Sequence, residues 1–303
     1  LSVLQALSSI SDSTSAMEGG DFRRRPPLRT SHFSPEEVCF LTIVHTLASG
    51  SSGNALLLSC GESRILLDAG ISCRRITAAL RELGLEPGSL SAILITHTHA
   101  DHISGLQTLL KRCDAPVLAT ERAGRELAWR LPAVEARLET LDFGGSRSIG
   151  ECAVTAVPTS HDAPGSCGFR LDTEDGSVGV LTDTGYVTDE AADALLGVDL
   201  AVLEANHDEE LLQRNPRYPA ALKRRILGKK GHLSNEAAGQ AAVELTRLGV
   251  PRLALGHLSQ HNNTPELAFD TVADALVQAG IRPGRDLEMA LTWPDRIGRA
   301  WVL

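Results

Sequence analysis

One stretch dominates this chain: Thr96-His97-Thr98-His99-Ala100-Asp101-His102. It follows Ala92-Ile93-Leu94-Ile95, an apolar run that reads as a buried strand. Packing a strand or a helix calls for no such density of imidazoles and carboxylate. Metals do: neutral imidazole nitrogens and carboxylate oxygens are what zinc, manganese and iron accept. His97 and His99, two apart just past a strand end, can converge on one ion, and Asp101 and His102 can face a second beside it. The competing reading is a solvated, histidine-rich turn, and the crowding directly after a core strand weighs against it.

The rest of the chain is long and apolar enough to build a large core around that stretch. It has 303 residues, 43% of them hydrophobic, and 29 basic against 38 acidic residues give a net charge of −9. No apolar run reaches the roughly 18 residues of a membrane span, so no membrane partner is expected. The acidic balance argues weakly against nucleic acid, although local charge matters more than the sum. Cys39, Cys60, Cys73, Cys113, Cys152 and Cys167 show no Cys-x-x-Cys spacing and read as reduced thiols of a cytoplasmic protein. Residues 1–38, rich in Ser and then carrying Arg23-Arg24-Arg25-Pro26-Pro27, are expected to be a disordered extension. The folded domain is expected to run over 39–303.

Strands are expected near Phe40–Leu47, 54–59 and 64–68, joined by the turn Ser49-Gly50-Ser51-Ser52-Gly53-Asn54. Asp68 ends the apolar strand Ile65-Leu66-Leu67. It is either a turn former or a carboxylate that orients a ligand histidine. Ser72 can cap a helix over 73–83, and a second helix is expected over 102–112. Strands follow at about 147–157, 167–172, 177–181 and 200–203. A capped helix is expected over 235–248, then a strand at 253–256, a helix at 264–278 and a last strand near 286–291. Strands in hairpins first, then strands alternating with helices, fit sheets covered by helices rather than an all-β barrel.

Other residues stand where chemistry could use them. His161 follows a strand, as a surface residue or a ligand. Asp183 ends another apolar strand, and its two oxygens could bridge two ions. Between Leu211 and His232 there are seven basic residues and no acidic one. That is a phosphate-binding surface or a solvated helix face. It leads into Gly231-His232-Leu233-Ser234-Asn235, where His232 precedes a helix N-terminus and could give a proton to a leaving alkoxide.

His-x-His-x-Asp-His after a buried strand resembles the metallo-β-lactamase superfamily. Ser-Ser-Gly-Asn at 51–54, Leu-Asp-Ala-Gly at 67–70, Thr-Asp-Thr-Gly-Tyr at 182–186, Glu-Ala-Asn-His-Asp at 204–208, Gly-His-Leu-Ser-Asn at 231–235 and His-Leu-Ser-Gln-His-Asn-Asn at 257–263 resemble its YycJ/WalJ-like branch. So does the run Tyr218 to Leu227. The likeness covers about 41–303. It implies an α/β (α+β) fold, an αββα sandwich of two packed mixed sheets with helices outside and metals at one edge. It implies two divalent ions, Zn²⁺ or Mn²⁺: one on His97, His99 and His161, the other on Asp101, His102 and His257, with Asp183 bridging and Asp68 behind them. It implies a phosphodiesterase acting by metal-hydroxide attack, with Asp101 and His232 catalytic, and most specifically a 5′→3′ DNA exonuclease. Asn206, Lys223, Arg224, Arg225, Ser259 and Asn262 are then expected on the nucleic acid, DNA rather than RNA. An RNA-processing nuclease, similar to tRNA 3′-processing enzymes in its Gly-His element, and a small-ester or thioester hydrolase remain the alternatives.

Overall fold

A computed structural model of the protein describes residues 41–303, so the expected extension, Cys39 and Phe40 lie outside the described residues. Among the described residues fourteen strands form two sheets of seven. The first sheet holds β1 (Ile43–Ala48), β2 (Ala55–Cys60), β3 (Ser63–Leu67), β4 (Ala92–Leu94), β5 (Val117–Thr120) and β6 (Leu138–Leu141) in chain order, with β14 (Trp301–Val302) added beside β1. The second holds β7 (Ser146–Ile149), β8 (Cys152–Pro158), β9 (Cys167–Asp172), β10 (Ser177–Leu181), β11 (Leu200–Glu204), β12 (Arg252–Gly256) and β13 (Glu288–Leu291), again in chain order. Each sheet starts with antiparallel hairpins and finishes with parallel strands, β3 to β6 and β10 to β13.

The apolar runs are continuous because both faces of each sheet are covered. Leu56, Leu58, Ile65, Leu67 and Leu94 point to the seam between the sheets, where they meet Val154, Phe169, Leu171, Val178 and Val202. Leu57, Leu66 and Ile93 point the other way, onto α1 (Cys73–Glu82) and α4 (Glu121–Arg130). Leu253 and Leu255 do the same on the second sheet, against α8 (Asn235–Arg247) and α9 (Pro265–Gln278). The layers are helix, sheet, sheet, helix, the expected sandwich. Five buried cysteines are free thiols.

Three local expectations change. The helix expected over 102–112 is two short pieces, α2 (Ala100–Ile103) and α3 (Leu106–Leu109). They break at Gly105, whose N–H donates to Ala69 O at 2.8 Å and whose added Cβ would lie 2.1 Å from Ile71 O. Backbone packed that closely admits no regular helix there. The strand expected over 147–157 is the hairpin β7–β8, turning at Gly150 with φ 54°. Finally, β14 closes the first sheet from the far end of the chain, a pairing no local pattern signals.

Every parallel strand runs toward the same rim. Residues just past the ends of β3, β4, β10, β11 and β12 therefore gather along one edge, as ligand sites do in open parallel sheets.

Candidate metal centre

Four stretches supply the cluster. The loop after β4 carries His97, His99, Asp101 and His102, with the last two on α2. His161 follows β8, Asp183 follows β10 and His257 follows β12. Asp68, Asp183 and His257 have φ of 59°, 55° and 56°, the only non-glycine residues among those described with positive φ. Such left-handed backbone costs about 1–3 kcal/mol per residue and collects at functional sites. Here each of the three turns the chain sharply at a strand end.

Asp183 sits at the centre. Its Oδ1 lies 4.0 Å from His97 Nε2 and 3.9 Å from His161 Nε2, and its Oδ2 lies 3.3 Å from His102 Nε2. His161 Nε2 lies 3.2 Å from His99 Nδ1. Asp101 Oδ2 lies 3.5 Å from His102 Nε2 and 3.4 Å from His257 Nε2. Two sets of donor atoms result, His97 with His99 and His161, and Asp101 with His102 and His257, each set within 4.8 Å.

These residues fit divalent metal. His97 Nε2 and Asp183 Oδ2 are buried in the cluster and make no hydrogen bond. An unpaired buried polar atom is costly, and a cation relieves it. The charge balance agrees. Burial opposes the charge on Asp183, yet His257, His102 and His97 hold its carboxyl well below the usual range. Burial likewise opposes protonation of His102, but Asp183 and Asp68 raise it well above the ordinary imidazole value. Burial, reinforced by His102, instead pushes His97 well below that value. The field at Asp183 favours positive charge, and a metal ion brings more of it than a proton.

The outer contacts are also in place. Asp68 Oδ2 accepts from His102 Nδ1 at 2.7 Å, and Asp68 Oδ1 accepts from the Thr96 N–H at 2.9 Å. His161 Nδ1 donates to Gly231 O at 3.0 Å. Such partners set the tautomer and aim the opposite ring nitrogen.

One functional candidate escaped the sequence reading. Glu204 is fully buried, and its Oε1 accepts from His232 Nδ1 at 2.7 Å and from His257 Nδ1 at 2.9 Å. Its Oε2 accepts from the N–H groups of Thr184 and Leu233 at 3.0 and 3.3 Å. Burial alone would raise its pKa, but the His232 charge and these hydrogen bonds bring it down to about 2. The oxygens of Glu204 also come within metal-ligand range of Asp183, His232 and His257. Both oxygens already have donors, which suits an orienting role better than ligation. Its signal was a carboxylate ending a wholly buried strand, the same signal that marked Asp68 and Asp183.

The expected nucleic-acid contacts divide. Arg224 is exposed on α7 (Ala220–Ile226), a helix with no buried residue. Lys223 Nζ donates to Gln213 O at 2.6 Å. Arg225 forms a two-pronged ion pair with Asp162, its NH2 group 3.0 Å from Oδ1, so it ties α7 to the His161 loop. Asn206, Ser259 and Asn262 sit differently from the basic residues. All are buried: Asn206 Nδ2 donates to His257 O, the Ser259 N–H to Asn206 O, and Asn262 Nδ2 to Ser259 Oγ. They form a polar layer that supports the His257 loop, because their amides and hydroxyl find partners inside the fold.

The comparisons with known proteins bear on the same residues. The family model described as the beta-lactamase superfamily domain matches residues 63–258. The chain is 38% identical over 252 residues to exodeoxyribonuclease WalJ of Streptococcus pneumoniae serotype 2, covering 82% of this chain and 93% of that one. It is 36% identical over 251 residues to exodeoxyribonuclease YycJ of Bacillus anthracis, covering 82% and 94%. The crystal structure of the metallo-beta-lactamase fold protein YhfI from Bacillus subtilis superposes with a TM-score of 0.64 at 18% identity, covering 87% of this chain and 99% of that one.

Proposed function

We propose, on the premise that this chain belongs to the metallo-β-lactamase superfamily alongside WalJ and YycJ, that it is a two-metal phosphodiesterase removing nucleotides stepwise from the 5′ end of DNA. The observation that carries the two-metal reading is the division of Asp183. Its Oδ1 faces His97 and His161, while its Oδ2 faces His102 Nε2 at 3.3 Å, which shares Asp101 Oδ2 with His257 Nε2. On this reading His97, His99 and His161 would hold one ion and Asp101, His102 and His257 the other, with Asp183 shared between the two sets. A pair of Zn²⁺ or Mn²⁺ ions, when bound, supplies a water acidic enough to attack near neutral pH and offsets the charge that builds on phosphorus.

The chain's own groups do the rest. Asp101 is the more open carboxylate, its side chain 25% exposed against 3% for Asp183, which supports assigning it to receive the proton of the attacking water. His232 engages Glu204 through Nδ1, so Nε2 is left to protonate the departing 3′-oxygen. A general acid so placed is worth about 10²–10⁴ in rate. Arg224, Lys229 and Lys230, all exposed on the arm between Leu211 and His232, offer charge to the DNA backbone.

The test is a Mn²⁺ assay on 3′-labelled duplex DNA and matched RNA, in which removal from the 5′ end shortens the labelled strand stepwise. Stepwise loss from the 5′ end of DNA is expected, absent in Asp183→Ala and slowed about 10²–10⁴-fold in His232→Ala. Protein that holds two metals and cleaves neither polymer overturns the reading, and cleavage of RNA alone moves it to RNA processing.

A further inference from the structure

A cavity of about 160 Å³ opens beside the metal centre, between α7 and the loops that carry His161 and His232. Its walls are chemically divided. Leu222 and Ile226 of α7, both half-buried, give it an apolar side, and Tyr218 adds an aromatic ring. That ring stands edge-on to His261, with centroids 6.4 Å apart. Lys230 and Arg225 give it a cationic side, and His232 lines it at the metal end. Arg225 is largely neutralised by Asp162, so Lys230 is the stronger attraction for an anion.

We propose that this cavity is the subsite for the 5′-terminal nucleotide, with the base against Tyr218 and the apolar side of α7, and the terminal 5′-phosphate toward Lys230. The assignment rests on the exonuclease reading and adds to it which residues choose the end. The geometry carries it through His232. In 5′→3′ hydrolysis water adds to the phosphorus of the second nucleotide and the bond from that phosphorus to the 3′-oxygen of the first breaks. That oxygen takes the acid's proton and leaves as the 3′-hydroxyl of a nucleoside 5′-monophosphate. The departing nucleotide must therefore lie on the side of the acid, and the cavity bounded by His232 is on that side. The arm that lines it is anchored rather than loose: Ser160 Oγ donates to Lys229 O at 2.7 Å, the His232 N–H donates to Ile226 O at 3.0 Å, and Arg225 holds Asp162. A recess of about 160 Å³ accommodates a group the size of one base, leaving the sugar and the 5′-phosphate at its mouth toward Lys230. Stacking on a flat ring tolerates any base, which suits a nuclease that reads no sequence.

The test measures binding of dTMP, dAMP and inorganic phosphate to the Mn²⁺-loaded enzyme by calorimetry. Both mononucleotides are expected to bind at least tenfold tighter than phosphate. Tyr218→Ala should weaken them about 5- to 100-fold while leaving phosphate binding unchanged. Tyr218→Phe should retain the affinity, which separates loss of the ring from loss of the fold. Lys230→Gln should weaken mononucleotides and leave deoxyadenosine unaffected. Mononucleotides that bind no tighter than phosphate, or a Tyr218→Ala enzyme of unchanged mononucleotide affinity, overturn the subsite. Parallel DNA digestion keeps the two claims apart. Stepwise 5′ digestion with no Tyr218 effect on binding removes the subsite alone. Tyr218-dependent mononucleotide binding by an enzyme that leaves DNA intact removes the exonuclease reading and keeps the subsite.

Discussion

At the residue scale the centre is defined by carboxylates that end buried strands. Asp68, Asp183 and Glu204 each stop an apolar run where a chain designed only for stability would continue it or turn with glycine. Glu204 is the most consequential, because one oxygen orients two imidazoles, His232 and His257, at 2.7 and 2.9 Å. Glu204→Gln replaces an acceptor-only carboxylate with an amide whose nitrogen can only donate. Each oxygen has two donors, so whichever way the amide turns, two of the four hydrogen bonds become a donor facing a donor. We expect kcat to fall about 10- to 100-fold, and metal affinity to fall with it through His257, with little change in KM for DNA. Metal content after dialysis, read together with the kinetics, checks this; wild-type metal content and kcat would show that Glu204 only fills space.

At the element scale, close approach of backbones decides where ligands stand. Gly70 lies between β3 and α1, and a Cβ there would come within 1.6 Å of Asp101 O and 2.7 Å of Asn54 N. Those are main-chain atoms that cannot swing aside. The Asn54 N–H also donates to Asp101 O at 2.8 Å, and Asn54 Nδ2 lies 3.2 Å from His102 Nε2. Gly70→Ala should therefore displace the Asp101–His102 turn as well as strain the fold. Overpacking of this kind costs about 1–3 kcal/mol. A lower Tm, together with loss of one of the two proposed metals, is the expected outcome in thermal melts and metal analysis. An unchanged Tm would show that the two loops move apart freely. The break between α2 and α3 at Gly105 has the same origin: spacing alone reads that stretch as one helix, and only the neighbouring loop at Ala69 and Ile71 shows why it is two.

At the scale of the whole molecule, burial sets the response to acid. His45 on β1 buries its Nδ1 without a hydrogen bond, and burial lowers its pKa to about 4. In the unfolded chain the same ring takes a proton near pH 6.5. The unfolded state thus binds more protons below that pH. The stability tied to His45 is complete above pH 6.5 and is lost as the pH falls toward 4. The difference reaches about 2 kcal/mol at pH 5. His45→Gln should flatten the decline of urea-unfolding free energy between pH 7.5 and 5 by about that amount; an identical pH dependence in the variant would mean that the ring is protonated in the fold. His45 lies within β1 and belongs to none of the candidate metal-holding groups, so this acid sensitivity comes from the sandwich rather than from the site.

By itself the sequence determined the parts whose cause is local. Alternating or continuous apolar runs specify β9 and β10 to the residue, because side-chain period and burial act over a few positions. Ser72 and Ser234 mark their helices, because a capping oxygen reaches only three residues along, to the N–H groups of Arg75 and Ala237. The His-x-His-x-Asp-His run declares metal, because no packing need explains it. Tertiary structure alone decided what depends on chain segments far apart. It brought His161, Asp183 and His257 to one rim and joined Glu204 to His232. It turned Asn206, Ser259 and Asn262 inward, and placed β14 beside β1. The contacts that decide these placements, from Glu204–His232 at 28 residues through Asn262–Asn215 at 47 to β1–β14 at more than 250, join distant segments, and a polar side chain's partner at that distance is set by how sheets and loops meet, which residue type and spacing do not encode.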